Sequence, residues 1–179
     1  VGRTFQVAQT FLSMSVAENV QMALISSRRE SEALWSPART RYRDDAVALL
    51  EQVGMAGMAD HPCSALAYGD VKRVELAIAL AGQPKLLLMD EPTAGMAARE
   101  RADLMDLTAS IAGAKGIGVL FTEHDMDVVF GHAERVIVLV RGQILATGAP
   151  EDIRQDPEVR RAYLGDEHAL ERPKGLSPT

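Results

Sequence analysis

The sequence Leu86-Leu87-Leu88-Met89-Asp90-Glu91 is an apolar run that ends in two adjacent carboxylates. A short run of this kind is typical of a parallel strand buried on both faces. Open α/β sheets bind ligands at the carboxyl ends of such strands, so two acids there need a chemical reason. In phosphoryl transfer one carboxylate binds a hard cation and another orients and deprotonates water, and these roles suit Asp90 and Glu91 respectively. The alternative is that the pair is only solvated charge at the end of a strand.

The residues after this run alternate between apolar strand patterns and helical spacing. They predict strands at 119–122 and 136–140 and helices at 97–112 and 125–130. Strand, helix, strand, helix, strand implies right-handed crossovers and a parallel sheet with helices on both faces. Arg141-Gly142 then predicts a tight hairpin turn into a further strand at 144–147. The later part of the chain is therefore expected to be α/β.

The first 82 residues are predicted to be mostly helical. Apolar residues at helical spacing predict a helix over residues 16–28, with Ser15 as its cap. A second helix is predicted to begin at Ser36-Pro37, which supplies a cap and a first-turn proline, and to stop at Gly54. We expect this part of the chain to form a separate helical region ahead of the α/β part.

A glycine turn lies ahead of a third predicted helix, at residues 71–80. This turn, Leu66-Ala67-Tyr68-Gly69-Asp70, feeds the helix N-terminus and so presents free backbone N–H groups and a positive dipole end to an anion. His124 follows the strand at 119–122 and is therefore expected on the same sheet edge as the two carboxylates. A lone histidine is more often a structural hydrogen-bonding residue than a catalyst. Together with the carboxylates, however, the turn and the histidine favour a phosphate site.

Composition limits the class of protein. The chain has 179 residues and is 47% hydrophobic, which is enough to bury a core. Its 25 acidic residues exceed its 19 basic ones, and the net charge of -6 disfavours a nucleic-acid partner. The single cysteine, Cys63, cannot form an internal disulfide or a multi-thiolate metal site, which suits a reducing compartment. The apolar runs are too short to cross a bilayer, so we expect a cytosolic chain.

The order and spacing of these features resemble the ATP-binding subunit of ABC transporters. The resemblance runs from Leu66 through Gly95, continues at Thr122-Glu123-His124-Asp125 and covers nearly the whole chain. It implies the α/β nucleotide-binding domain of a P-loop NTPase, lacking its N-terminal strands and its Walker A loop, with a parallel sheet, helices on both faces and a helical subdomain. ATP and Mg²⁺ are the implied cofactors.

The resemblance also implies a role for each candidate residue. The signature motif, which contacts ATP, is Ala67, Tyr68, Gly69 and Asp70. The apolar run is the Walker B motif, with Asp90 on the metal and Glu91 as the catalytic group that acts on water. His124 is the switch that senses the γ-phosphate. Arg3-Thr4-Phe5-Gln6 looks like the Q-loop, which places Gln6 near the metal and the attacking water.

Four stretches narrow the resemblance to branched-chain amino-acid importers, and importers of urea or short amides share much of the pattern. They are Arg-Thr-Phe-Gln at 3–6, Leu-Ala-Tyr-Gly-Asp at 66–70, Glu-Pro-Thr-Ala-Gly-Met at 91–96 and Arg-Ala-Tyr-Leu-Gly at 161–165. The implied partners are a membrane permease, a second ATP-binding subunit, identical or different, and indirectly a periplasmic binding protein, with no nucleic acid. The implied location is peripheral, on the cytoplasmic face of the inner (plasma) membrane.

The largest departure from the family pattern is a missing motif. The phosphate loop, Gly-x-x-x-x-Gly-Lys-Ser/Thr, occurs nowhere in the 179 residues. Because family members carry it ahead of the Q-loop, we expect it upstream of Val1 in a longer polypeptide. Micromolar ATP affinity needs about 8 kcal/mol, whereas a helix terminus offers an exposed anion about 0.3 to 1 kcal/mol. The chain alone is therefore expected not to bind ATP measurably.

Smaller departures lie in the signature motif and just after the Walker B motif. Ala67 and Asp70 replace the serine and glutamine that are commoner in the family, and Ala97 stands where a polar residue is usual. Ala67 lacks a hydrogen bond to a charged group that is worth about 1.5 to 3 kcal/mol, and the Asp70 carboxylate opposes an incoming phosphate. We expect slower ATP turnover, not its loss.

These assignments divide the chain into a Q-loop segment at 1–15, a helical subdomain with the signature motif at 16–82, an ATPase core at 83–150 and a C-terminal helix and tail at 151–179. The predicted function is ATP hydrolysis that energises import of branched-chain amino acids or related small amides. One alternative is a non-catalytic module that only docks on a permease. Another is a soluble ABC ATPase of repair or translation, which the acidic balance disfavours.

Overall fold

The structure, a computed structural model, describes residues 2–3, 10–28 and 42–164. The chain divides into two compact units, Val1–His124 and Asp125–Thr179. Three of the features that the sequence predicts, namely Gln6 in the Q-loop, the helix start at Ser36-Pro37 and the tail from Gly165, lie outside the described residues.

The first unit combines helices with a short sheet. Its helices are α1 (Val16–Ser27), α2 (Arg43–Gln52), α3 (Tyr68–Leu80) and α4 (Ala98–Lys115), and its strands are β1 (Gly2–Arg3), β2 (Leu86–Asp90) and β3 (Gly118–Thr122). The predicted helices and strands are confirmed here to within a few residues at their ends, with one exception. The helix predicted to begin at Ser36-Pro37 begins at Arg43, because its N-cap Tyr42 has the left-handed conformation, with φ of 58°. The main difference is that α3 begins at Tyr68, because the glycine turn is itself the first helical turn and Ala67 is the extended N-cap. None of the helices described in either unit is long and apolar enough to cross a membrane.

The start of α1 is held by its own first turn. The predicted cap is confirmed: Ser15 Oγ accepts a hydrogen bond from Glu18 N at 3.2 Å, and Glu18 Oε2 accepts one from Ser15 N at 2.9 Å. This reciprocal capping box satisfies two backbone donors that a helix start otherwise leaves open. The buried Asn19 fixes the preceding chain, because its Oδ1 accepts from Phe11 N at 2.7 Å and its Nδ2 donates to Phe11 O at 3.2 Å.

β2 is the central strand of a parallel sheet with the order β1-β2-β3. Gly2 lies opposite Leu87, and Asp90 lies opposite Thr122. β1 passes so close to α3 that a Cβ at Gly2 would lie 2.7 Å from the carbonyl oxygen of Ala79, which explains the glycine. The predicted parallel sheet is confirmed, and its carboxyl edge carries the residues that follow β2 and β3.

The core of this unit lies between the helices and one face of the sheet. Its buried members include Val16, Val20, Leu24, Leu50, Val74, Leu76, Leu87 and Ile111. The opposite face, which carries the register pair Leu88 and Leu120, is half-buried to exposed. The predicted helical cover of both faces is therefore found on only one face in the described residues, because the core side chains of α1, α3 and α4 cluster on the face of Leu87.

The second unit contains a hairpin and short helices. Its elements are α5 (Met126–His132), β4 (Val136–Val140), β5 (Gln143–Gly148), α6 (Pro150–Gln155) and α7 (Pro157–Val159). The predicted turn at Arg141-Gly142 is confirmed, with φ values of 50° and 79° that fit a type I′ hairpin. The prediction that β4 extends the parallel sheet is wrong for the described residues. The described partner of β4 is β5, which pairs antiparallel with it across the predicted two-residue turn, and β4 belongs to a different unit from the parallel sheet.

Candidate functional site

The carboxyl edge of β2 and β3 is organised around the hydroxyl of Thr122. Because Asp90 and Thr122 are register partners, Thr122 Oγ1 reaches Asp90 Oδ1 and donates to it at 2.6 Å. The same oxygen accepts from Glu91 N at 3.2 Å, and Glu91 N also donates to Thr122 O at 3.0 Å. One hydroxyl thus orients the carboxylate of Asp90 and holds the backbone of Glu91.

The chain turns sharply at Glu91. Its φ of 44° lies in the left-handed region, which is uncommon for a residue with a side chain. A second tie fixes the turn from the other side: Glu123 Oε1 accepts from Thr93 N at 3.0 Å and from Thr93 Oγ1 at 2.5 Å. Thr93, which follows β2, is therefore bonded to Glu123, which follows β3. Together with the bonds to Thr122, these hydrogen bonds hold the turn at Glu91 on both sides.

His124 lies beside Glu91. Its Nδ1 is 3.7 Å from Glu91 Oε1, with the histidine side chain 72% exposed and the glutamate side chain 34% exposed. The His124 backbone N–H donates to Glu123 Oε2 at 3.3 Å, which holds the residue at the edge of the sheet. The structure thus brings together the three residues that the sequence singled out at this edge, Asp90, Glu91 and His124. Their chemical roles stay predictions.

The signature turn forms the N-terminus of the thirteen-residue helix α3. Ala67 is the N-cap and has no side-chain hydrogen bond to the helix, while Tyr68, Gly69 and Asp70 make up the first turn. A Cβ at Gly69 would lie 3.5 Å from Cε of Met96, so this turn packs against the chain that precedes α4. The first turn offers backbone N–H groups to an anion, and the short Ala67 side chain adds no donor of its own.

Asp90 is the described residue that fits Mg²⁺ best. Its carboxylate is exposed and has one oxygen held by Thr122, which orients the group. Proteins bind Mg²⁺ through one or two carboxylates and leave the other positions to phosphates and water. The described residues contain no group of three or more histidine, cysteine or acidic side chains that could enclose a metal. A shared site, completed by a phosphate ligand, is therefore the kind that this edge can form.

Three structural features of the site were missed from sequence. The first two are the Thr122 hydroxyl and the Thr93–Glu123 tie, and a signal for Thr122 exists because it is the residue directly opposite Asp90 once the strands are in register. The third is a buried ion pair on α3, in which Lys72 Nζ lies 3.0 Å from Glu75 Oε2. Nothing in the sequence distinguishes these two charges from a solvated helix face.

Comparison with known proteins shows which family has this arrangement. The family model described as "ABC transporter" matches residues 1–94, and the model described as "Branched-chain amino acid ATP-binding cassette transporter" matches residues 143–169. The high-affinity branched-chain amino acid transport ATP-binding protein LivG of Salmonella typhimurium is 39% identical over 173 residues, which is 93% of this chain and 68% of LivG. The chain belongs to the ABC transporter ATP-binding family.

Other members of the family are similar as well. The lipopolysaccharide export system ATP-binding protein LptB of Haemophilus influenzae is 34% identical over 95% of this chain and 67% of LptB. The crystal structure of the ADP conformation of MJ1267, an ATP-binding cassette of an ABC transporter, has a TM-score of 0.77 and 31% identity, over 92% of this chain and 68% of MJ1267. The expected fold, an ABC-type nucleotide-binding domain of the P-loop NTPase class, is confirmed, and so is the expectation of an ABC transporter ATP-binding protein.

Proposed function

We propose that this chain belongs to the ATP-hydrolysing subunit that energises import of branched-chain amino acids, or related small amides, through a membrane permease. The observation that carries the proposal is the cluster of Asp90, Glu91 and His124 at one sheet edge, tied together through Thr122 and Glu123. The family match over residues 143–169 and the similarity to LivG favour branched-chain amino acids over the lipopolysaccharide that LptB's name gives.

In the proposed mechanism each residue at the edge has a separate task. Asp90 would hold Mg²⁺ through the carboxylate that Thr122 orients, and when bound the ion neutralises charge on the phosphates. Glu91 would orient the attacking water and accept its proton, because its carboxylate is accessible. His124, beside Glu91, would donate a hydrogen bond to the γ-phosphate. Gln6, which we propose as a further ligand of metal and water, lies outside the described residues.

The signature turn is proposed to act on ATP that a second ATP-binding subunit, identical or different, holds. The backbone N–H groups in the first turn of α3, at Tyr68 and Gly69, would face its γ-phosphate. Ala67 has no hydroxyl to add to them, and Asp70 places a negative charge in the same turn. These two residues, with Ala97 in place of a polar contact to the second subunit, support a slower ATP turnover than a serine-containing signature gives.

An exposed apolar pair ahead of α1 supports contact with the permease. Phe11 and Leu12 are 56% and 60% exposed, and Asn19 fixes the Phe11 backbone from both sides. An apolar surface on an ordered segment is typical of a protein interface. The permease, fed by a periplasmic binding protein, would hold this subunit at the cytoplasmic face of the inner membrane.

We further propose that the 179 residues alone neither bind nor hydrolyse ATP, because they contain no phosphate-loop motif. Isothermal titration calorimetry of the purified chain with ATP and Mg²⁺ should give no saturable heat in the micromolar range, where binding needs about 8 kcal/mol. A low-micromolar dissociation constant would contradict this proposal. The second candidate function is a non-catalytic module that docks on a permease, a role that the exposed apolar pair Phe11 and Leu12 would also serve.

The two candidate functions differ in their response to one substitution. In membrane vesicles that carry the assembled transporter, Glu91→Gln should lower ATP turnover and leucine uptake by about 100-fold or more, since a positioned general base contributes about 10² to 10⁴. Glu134→Gln, an exposed change of the same chemistry in the second unit, is the control and should leave both rates unchanged. A Glu91→Gln transporter with normal turnover would favour the docking module.

A further inference from the structure

The signature turn touches the chain that follows the Walker B motif. A Cβ at Gly95 would lie 3.7 Å from Cε1 of Tyr68, so the tyrosine ring packs against the Gly95 backbone. Gly95 has a φ of 78°, a left-handed conformation that glycine adopts without strain. Tyr68 therefore links two segments that the proposed function assigns to different steps, the first turn of α3 and the chain after Glu91.

The Tyr68 ring is supported by a buried cation. Lys72 lies one helical turn further along α3, and its Nζ is 5.5 Å from the centroid of the Tyr68 ring. This distance is within the range of about 6 Å for a cation–π contact, which is stronger when the cation is desolvated. The Lys72 side chain is only 3% exposed, whereas Tyr68 is 46% exposed. An exposed ring thus rests on an ammonium group that is held inside the protein.

The ammonium group is itself fixed next to the Walker B motif. Lys72 Nζ lies 3.0 Å from Oε2 of the buried Glu75, and both side chains line a small void together with Met89 and Pro92. Apolar residues in place of a buried ion pair are often neutral for stability or increase it. Stability is therefore a weak explanation for the pair, and the contact with the Tyr68 ring gives it a task that two apolar residues could not perform.

We propose that Lys72 is a positioning residue for ATP hydrolysis and acts through Tyr68. Its ammonium group holds the ring on Gly95, and the ring fixes the first turn of α3, whose backbone N–H groups face the γ-phosphate of the ATP held by the second subunit. The effect on hydrolysis rests on the proposed function, whereas the arrangement of Lys72, Tyr68 and Gly95 rests on the structure alone. Misplacement of a reacting group by about 1 Å can cost about 10²-fold in rate, so a loosely held turn slows the reaction.

The double variant Lys72→Met with Glu75→Leu separates positioning from folding. It removes the cation and leaves no buried carboxylate, so urea denaturation should find the purified chain folded. In the wild-type chain, NMR should give a nuclear Overhauser effect between the Tyr68 ring protons and the Gly95 α-protons. We expect this effect to disappear in the double variant. An undiminished effect would overturn the role of Lys72, and its absence from the wild-type chain would overturn the link itself.

Turnover of the assembled transporter in membrane vesicles tests the consequence. The double variant and Tyr68→Leu should each lower maximal ATP turnover at least about tenfold and leave the KM for ATP within about twofold of the wild-type value. Tyr68→Leu changes an exposed side chain and leaves the buried pair intact, so its result does not depend on the folding of the double variant. Tyr68→Phe keeps the ring and should exceed Tyr68→Leu in turnover at least about tenfold.

Phe130→Leu is the matched control. It removes the ring of the cation–π pair that Phe130 forms with Arg154 in the second unit, at 4.8 Å, and should leave turnover unchanged. Wild-type turnover in Tyr68→Leu would overturn the positioning role, and so would equal turnover in Tyr68→Leu and Tyr68→Phe. The proposed function fails on a different result, normal turnover in Glu91→Gln, and the NMR measurement on the purified chain involves no hydrolysis. The two proposals can therefore fail separately.

Discussion

The first unit contains charged side chains in two contrasting environments near the Walker B motif, one buried and one exposed. Lys72 and Glu75 on α3 form an ion pair at 3.0 Å whose side chains are only 3% and 7% exposed. They line the same small void, of about 10 Å³, as Met89 and Pro92, the residues just before Asp90 and just after Glu91. Asp90, by contrast, is exposed at the edge of the sheet and is held by a single side-chain hydroxyl.

The difference separates charges that support the fold from charges that are available to a ligand. The buried pair lies on the signature helix and lines a void that the Walker B turn also lines, so its value is structural. Asp90, which is exposed, and Glu91, whose side chain is 34% exposed, stay available to a cation or to water. Their positions depend on few bonds, chiefly those of Thr122 and Glu123. The structure therefore predicts large effects on stability for substitutions in the buried pair. It predicts smaller effects, mainly on activity, for substitutions at the sheet edge that carries Asp90.

The largest effect is expected for Lys72→Met. The substitution removes the ammonium group bonded to Glu75 and leaves a buried carboxylate, a change that costs about 3 to 5 kcal/mol of unfolding free energy. Urea denaturation of the purified chain measures it. The matched control is Lys72→Met combined with Glu75→Leu, which replaces both charges by apolar groups and should recover most of the loss. If the double variant were as unstable as the single one, the loss would not come from the buried Glu75 carboxylate, and the prediction would be wrong.

A smaller effect is expected for Thr122→Val, which keeps the shape of the side chain but removes the hydroxyl. The variant loses the bond to Asp90 Oδ1 and one acceptor for Glu91 N, so the free energy of unfolding should fall by about 1 to 3 kcal/mol. In the assembled transporter, ATP turnover should fall and the concentration of Mg²⁺ needed for half-maximal turnover should rise, because Asp90 is no longer oriented. Thr147→Val, at an exposed strand threonine of the second unit whose hydroxyl accepts a bond from Arg135 Nε at 3.4 Å, should leave ATP turnover and its Mg²⁺ dependence unchanged. If Thr122→Val kept a normal Mg²⁺ dependence, the threonine would not be needed to orient Asp90 for the metal.

The sequence was sufficient for the features with a strong local pattern. The apolar run of β2, the Ser15 cap and the turn at Arg141-Gly142 are each determined by neighbours in the chain, and all were predicted correctly. The edge that joins the Walker B carboxylates to His124 was also foreseen, because parallel strands end at the same edge of a sheet.

The features that were missed depend on contacts distant in sequence. The Thr122 hydroxyl matters only because the register places it opposite Asp90, 32 residues earlier. The hairpin partner of β4 was predicted from the turn at Arg141-Gly142, but its apolar pattern also suggested a place in the parallel sheet, which one segment alone cannot decide. The charge on Lys72 is buried only because α4 and the end of β2 pack over it, as the shared void with Leu104 and Met89 indicates. Periodicity along one segment carries no information on such neighbours.

The smallest effect is expected at the signature turn, where Ala67→Ser adds a hydroxyl to the N-cap of α3. Ala67 already has the extended conformation that an N-cap residue needs, with φ of -66° and ψ of 156°. A serine oxygen there can accept from the backbone N–H of the first turn, which stabilises a helix start by about 0.5 to 2 kcal/mol. Thermal unfolding of the purified chain should therefore move to higher temperature. The control is Ala65→Ser, at the end of the three-residue turn Cys63–Ala65, which does not cap a helix and should not produce the same gain. In the assembled transporter the same hydroxyl is free to bond the γ-phosphate when ATP is present, so turnover should rise. A variant that gains stability with no rise in turnover would assign residue 67 to the helix cap alone, and would remove Ala67 from the explanation of slow hydrolysis.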